Sequence, residues 1–140
     1  MVPISKELRQ AIENFVNDKG CTSQHLFDIS LITLWRLYNG NTETNEPASY
    51  ATEQKIREIL LNNPMPGSIK NYRTHKKFNT ISVRFRGEMT YNWVCQLEKL
   101  YMFHDGVNDF VRRSICFFLR KEGYINDSKT TYLKEKKLIE

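Results

Sequence analysis

The sequence predicts a mainly α-helical protein that carries one short, basic β-strand. Three observations lead there. Apolar residues recur at helical spacing in several segments, among them KELRQAIENFV, QHLFDISLITLWRLY and DFVRRSICFFLRK. In KKFNTISVRF, residues 76–85, they alternate instead, with Ile81, Val83 and Phe85 on one face and Thr80, Ser82 and Arg84 on the other. Charge is also unevenly divided: residues 1–63 carry 6 basic and 8 acidic side chains, net −2, whereas residues 64–125 carry 11 basic and 5 acidic, net +6.

The first helix follows Ser5, which can cap it; Leu8, Ile12, Phe15 and Val16 fall on one stripe, and Gly20 stands where a left-handed C-cap is needed. Thr22 or Ser23 can cap a second helix closed by Asn39 and Gly40. Its Leu26, Phe27, Ile29, Leu31, Ile32, Leu34, Trp35, Leu37 and Tyr38 cover most of the circumference, so it should be buried nearly all round. After the polar loop NTETNEPA, TEQKIREILLNN makes a short amphipathic helix stopped by Pro64. SIKNYRTHKK reads as an extended basic arm leading into the strand, expected over residues 79–86. Beyond Gly87, EMTYNWVCQLEKLYMF sets Met89, Trp93, Leu97 and Leu100 on one side of a helix. Asn108 or Asp109 can cap the last one, whose core stripe is Phe110, Val111, Ile115, Phe118 and Leu119, extended by Cys116 and Phe117. The tail NDSKTTYLKEKKLIE is charged and reads as a loose helix or as disordered chain.

Between Pro64 and Gly87 there are six basic residues (Lys70, Arg73, Lys76, Lys77, Arg84 and Arg86) and no acid, which favours a polyanionic partner over a plain solvated linker. MVPISKEL has no apolar run of signal-peptide length and no segment approaches a membrane span, so a cytoplasmic location without membrane partners is expected. Cys21, Cys95 and Cys116 are too scattered for a disulfide framework or a zinc site, and should pack as small apolar groups. His25, His75 and His104 share no ligand spacing, and no metalloprotease, phosphate-loop or nucleophile-elbow motif occurs. Neither enzymatic activity nor a cofactor or metal is expected. Arg112 and Arg113 could flank a polyanion or simply form the solvated face of the last helix.

A single strand leaves its backbone groups unpaired, and strand 79–86 has one apolar face to cover. Intertwined dimerisation answers both needs: two copies of the strand pair antiparallel, and helices bury the apolar face beneath them. The polar face then points outward, and a two-stranded ribbon fits the major groove of B-form DNA.

FNTISVRF followed by RGEM, and VNDFVRRSICFFLRKEGYI with its VN beginning and KEGYI end, resemble the ribbon-helix-helix family, closest to the Arc and Mnt repressor type, over residues 76–125. The chain departs from the family pattern in having Arg86 where a proline usually follows the strand, and in a first helix about a turn longer. The resemblance implies a mainly α fold with a ribbon-helix-helix module that forms an intertwined homodimer, with higher oligomers on DNA. It implies sequence-specific double-stranded DNA binding, a transcriptional repressor's role and a nucleoid-associated location. Thr80, Ser82 and Arg84 would then read bases, and the backbone amides of Val107 and Asn108 would hold a phosphate. Lys70, Arg73, Lys76, Lys77 and Arg86 would add phosphate contacts. A rival reading is an interaction or accessory protein, of antitoxin, relaxosome-accessory or polymerase-binding kind, that uses the fold mainly to dimerise.

The chain thus divides into a helical N-terminal region (1–63), the basic arm with the ribbon-helix-helix module (64–125) and a charged tail (126–140). The N-terminal helix pair resembles that of the same family, with only Met1 to Ile4 where a strand would stand. It is either a degenerate second module or a helical cap. Pro3, a poor central-strand residue, and the net acidic charge favour the cap, and that acidic half is where a protein partner would bind.

Overall fold

The computed structural model describes residues 2–39, 57–67, 79–85, 106–128 and 130. The elements are strand β1 (Val2–Pro3), helices α1 (Lys6–Lys19) and α2 (Ser23–Asn39), strand β2 (Thr80–Ile81) and helix α3 (Gly106–Lys121). Residues 57–61 add a helical turn ahead of Pro64. The helix expected over EMTYNWVCQLEKLYMF lies outside the described residues, as does the basic arm.

Local sequence signals account for the helix ends. Ser5 Oγ accepts from the Leu8 amide at 3.1 Å, and Gly20 closes α1 at φ 60, a backbone state that costs any side-chain-bearing residue strain. Thr22, rather than Ser23, caps α2: its Oγ1 accepts from the His25 amide at 3.1 Å. Helix α3 begins at Gly106, so Asn108 and Asp109 lie inside its first turn instead of capping it. There the Asp109 carboxylate faces the positive end of the helix and accepts from Arg113 Nε one turn on, at 2.8 Å.

Of the strand expected over residues 79–86, Thr80–Ile81 form one, and it finds its partner in its own chain. β1 and β2 pair antiparallel with Val2 opposite Ile81 and Pro3 opposite Thr80, and the Ile4 amide donates to Asn79 O at 2.9 Å. The expected need for a second copy rested on an unpaired strand, and Val2–Pro3 supplies that pairing. Pro3 is tolerated because bonded and non-bonded pairs alternate along an antiparallel ladder, and it occupies a position whose missing N–H would point away from β2. The outward carbonyls of this pair are both taken by arginines: Pro3 O accepts from Arg112 Nη1 at 2.9 Å, and Thr80 O from Arg9 Nη1 at 3.0 Å.

Val2, Ile4 and Ile81 lie beneath the ribbon and join one core with α1, α2 and α3. α2 packs most extensively against α3. Leu26, Phe27, Ser30, Leu31 and Leu34 of α2 match Phe110, Val111, Ser114, Ile115 and Phe118 of α3 in spacing, and all ten are buried. The two serines return their hydroxyls to the preceding turn, Ser30 to Leu26 O at 2.8 Å and Ser114 to Phe110 O at 2.7 Å, so neither is left unsatisfied in the core. The N-terminal residues therefore run strand, helix, helix, which a helical cap alone would not require.

α3 is buried along nearly its whole circumference; α2, expected to be so, is not, since Ile32 is 49% exposed. Trp35, Leu37 and Tyr38 have side chains outside the described set. At the end of α3, Arg120 is buried and unexpected from sequence: it forks onto Asp127 at 3.1 and 2.8 Å and also reaches Asn63 Oδ1 and Pro64 O. Asp127 in turn accepts from the Thr130 amide at 3.0 Å, at the start of the tail that reads as a loose helix or as disordered chain, where Ser128 and Thr130 are helical.

Candidate nucleic-acid interface

The alternation in the basic strand is realised as two faces. Ile81 is buried, and Val83 and Phe85 pack against the core, Phe85 edge-to-face on Phe27 with ring centroids 5.3 Å apart. Ser82 and Arg84 are exposed and Thr80 is half-buried. On β1 the residue of the same outward face is Pro3, half-buried, which has no side-chain donor. The polar content of this face accordingly comes from Thr80 of β2 and from Ser82 and Arg84 after it.

The edge of β2 away from β1 is held by side chains of the N-terminal half. Arg9 reaches Thr80 O and also pairs with Glu13 at 3.0 Å. Gln24 bonds both backbone groups of Arg84, accepting from its amide at 2.7 Å and donating to its carbonyl at 2.8 Å. Neither residue carries a sequence signal for this task. The strand β1 does carry one, the apolar–Pro–apolar alternation Val2, Pro3, Ile4.

Val107 and Asn108 occupy the first turn of α3, where helical amides lack intrahelical acceptors. Val107 leans on the core and Asn108 is half-buried. Asn108 precedes by one turn Arg112, whose guanidinium reaches Pro3 O, so the α3 start and the ribbon are joined through that arginine. Arg112 and Arg113 are not a solvated face: Arg112 is 6% exposed, and Arg113 donates to Leu60 O at 2.9 Å. Both also balance Asp109, Arg113 at 2.8 Å and Arg112 at 3.8 Å. Lys70, Arg73, Lys76, Lys77 and Arg86 lie outside the described residues.

Burial pushes the Cys116 thiol up to about 12, outweighing the nearby Arg120 and Arg113 charges, so it is a neutral core group at physiological pH. Among the described residues no cluster of three or more His, Cys, Asp and Glu side chains is placed to hold a metal, and no helix is long and apolar enough to cross a membrane. No family model, curated protein or solved structure matches the chain.

Proposed function

We propose that the protein binds double-stranded DNA sequence-specifically, laying the outer face of the β1–β2 ribbon into the major groove, and acts as a transcriptional repressor. The observation that carries this reading is the split of β2 and the residues that follow it: Ile81, Val83 and Phe85 are spent on the core while Ser82 and Arg84 stand exposed, with the Arg84 backbone already held by Gln24. A strand kept only to complete a fold has no use for an exposed arginine beside a lysine-rich segment. Arg84 can donate to guanine O6 and N7 together, and the Thr80 and Ser82 hydroxyls can read neighbouring base edges. Val107 and Asn108 at the α3 start take a phosphate, and the basic residues Lys70, Arg73, Lys76, Lys77 and Arg86 add affinity without sequence information.

With the ribbon closed inside one chain, the unit that enters the groove is a tandem ribbon-helix-helix arrangement. The strand–helix–helix order of the N-terminal residues and the matched Ser30 and Ser114 support it. The test is equilibrium binding to duplexes selected from a random pool. Arg84→Ala should lower the preference for the selected duplex by about 1–3 kcal/mol while the fold is kept. Equal loss on selected and random duplexes would rule out base reading at Arg84.

A further inference from the structure

We infer that Gln24, in the first turn of α2, is a positioning residue for Arg84: its carboxamide stands in for a neighbouring strand and fixes where the arginine leaves the ribbon. The inference rests on the DNA-binding reading of the β2 face and names what sets its geometry.

β1 pairs with β2 at Ile81 and Thr80, and Arg84 lies beyond that ladder. There the Arg84 amide donates to Gln24 Oε1 at 2.7 Å, and Gln24 Nε2 donates to Arg84 O at 2.8 Å. These are the two bonds that a facing residue on an antiparallel strand would make, and a carboxamide is the neutral side chain that offers donor and acceptor side by side. The amide cannot be flipped without losing them, because Nε2 also donates to Asp28 Oδ1 at 2.9 Å. One turn along α2, Phe27 meets Phe85 edge-to-face at 76°. α2 therefore grips two consecutive residues of the reading strand, one by its backbone and one by its ring, and the Arg84 side chain remains exposed.

A guanidinium that must meet two acceptors on one base needs its backbone placed within about 0.5 Å, and strand ends are where that precision is lost through fraying. Gln24 supplies it at Arg84, the bidentate donor among Thr80, Ser82 and Arg84. It does so without touching DNA.

The test compares wild type, Gln24→Leu, Arg84→Ala and the double variant on the duplex that wild type selects and on a scrambled duplex. Arg84 can contribute about 5- to 150-fold to discrimination, and Gln24→Leu should remove about fivefold or more of it while binding to the scrambled duplex stays within about twofold. In the Arg84→Ala background the same substitution should change nothing, and hydrogen exchange at the Arg84 amide should quicken in Gln24→Leu while α1 amides keep their protection. An undiminished preference in Gln24→Leu, or an equal loss with Arg84 already gone, would overturn the positioning role. Wild type that prefers no duplex would instead overturn the DNA reading and this role with it. Exchange at Arg84 that is indifferent to Gln24 would overturn the clamp itself, whatever the ligand.

Discussion

Replacing Arg120 by methionine should cost about 3 kcal/mol at neutral pH, because the guanidinium is a charge-assisted donor drawn into a buried corner of several acceptors. Its side chain is 1% exposed, and it bonds both Asp127 oxygens, Asn63 Oδ1 and Pro64 O. Removing one partner of a buried pair costs about 3–5 kcal/mol. Asp127 is 31% exposed and keeps part of its hydration, which lowers the figure, while the abandoned Asn63 and Pro64 oxygens raise it by about 1 kcal/mol each. Burial alone would raise the Asp127 carboxyl; the Arg120 fork and the Thr130 bonds outweigh it and hold the group below the usual carboxylate range. A carboxyl more acidic in the folded than in the unfolded state stabilises fully above the unfolded value of about 3.9 and loses that contribution as pH falls through its folded value. Urea unfolding followed by circular dichroism at pH 7, then in steps to pH 3, reads both effects. Arg120→Met should be less stable and should lose less on acidification than wild type. A loss under about 1 kcal/mol at pH 7, or an acid limb as steep as wild type's, would refute the assignment.

Three further outcomes follow from the ribbon and the core. Pro3→Cys with Thr80→Cys places two thiols on a non-bonded antiparallel pair, with Cα atoms about 4.5 Å apart, and should give a disulfide within one chain; peptide mapping that finds the bridge between chains would mean a ribbon built from two copies. Arg112→Met strips Pro3 O of a buried donor and should cost about 1–3 kcal/mol in thermal or urea unfolding, more than Arg9→Met, whose side chain is 43% exposed; the reverse order would contradict the roles given to the two edges. Cys116, with its thiol near 12, should react with an alkylating reagent at pH 8 only at the rate of unfolding, and fast labelling of the native protein would contradict its burial.

Much of this fold was legible because local signals and burial agree. Ser5 and Gly20 bracket α1, Pro64 follows the helical turn at 57–61, and the alternation around Ile81 sorts core from surface as written. What sequence concealed was long-range polar pairing. Nothing in the order of residues says that Arg112 will close Pro3, that Arg120 will meet Asn63, or that Gln24 will take the backbone of Arg84, since each bond joins segments more than fifty positions apart. An arginine in an apolar helix looks like a solvated residue until its acceptors are known, and this is why Arg112 and Arg113 read as candidate surface. β1 was obscured for another reason: Pro3 argues against a strand interior, yet at a non-bonded position the missing N–H costs no ladder bond.

The same bonds bear on why an acidic half is joined to a basic strand. Strand β2 owes its partner to Val2 and Pro3, the closure of its outer edge to Arg9 and Gln24, and the seat of Phe85 to Phe27, all from residues 1–63. Among the described residues the acids of that half that face solvent are Glu7, Glu13, Asp18 and Glu58; the first three are carried on α1, and two of these are engaged: Glu13 by Arg9, and Asp18 by the Tyr124 hydroxyl at 2.6 Å. Net charge therefore misjudges the contribution of these residues to the proposed polyanion-binding face, because side chains that shape the face need not be basic. A neutral amide and an apolar ring suffice to hold an arginine where it is useful, and a held arginine discriminates between bases better than a free one, since less freedom is lost when it binds.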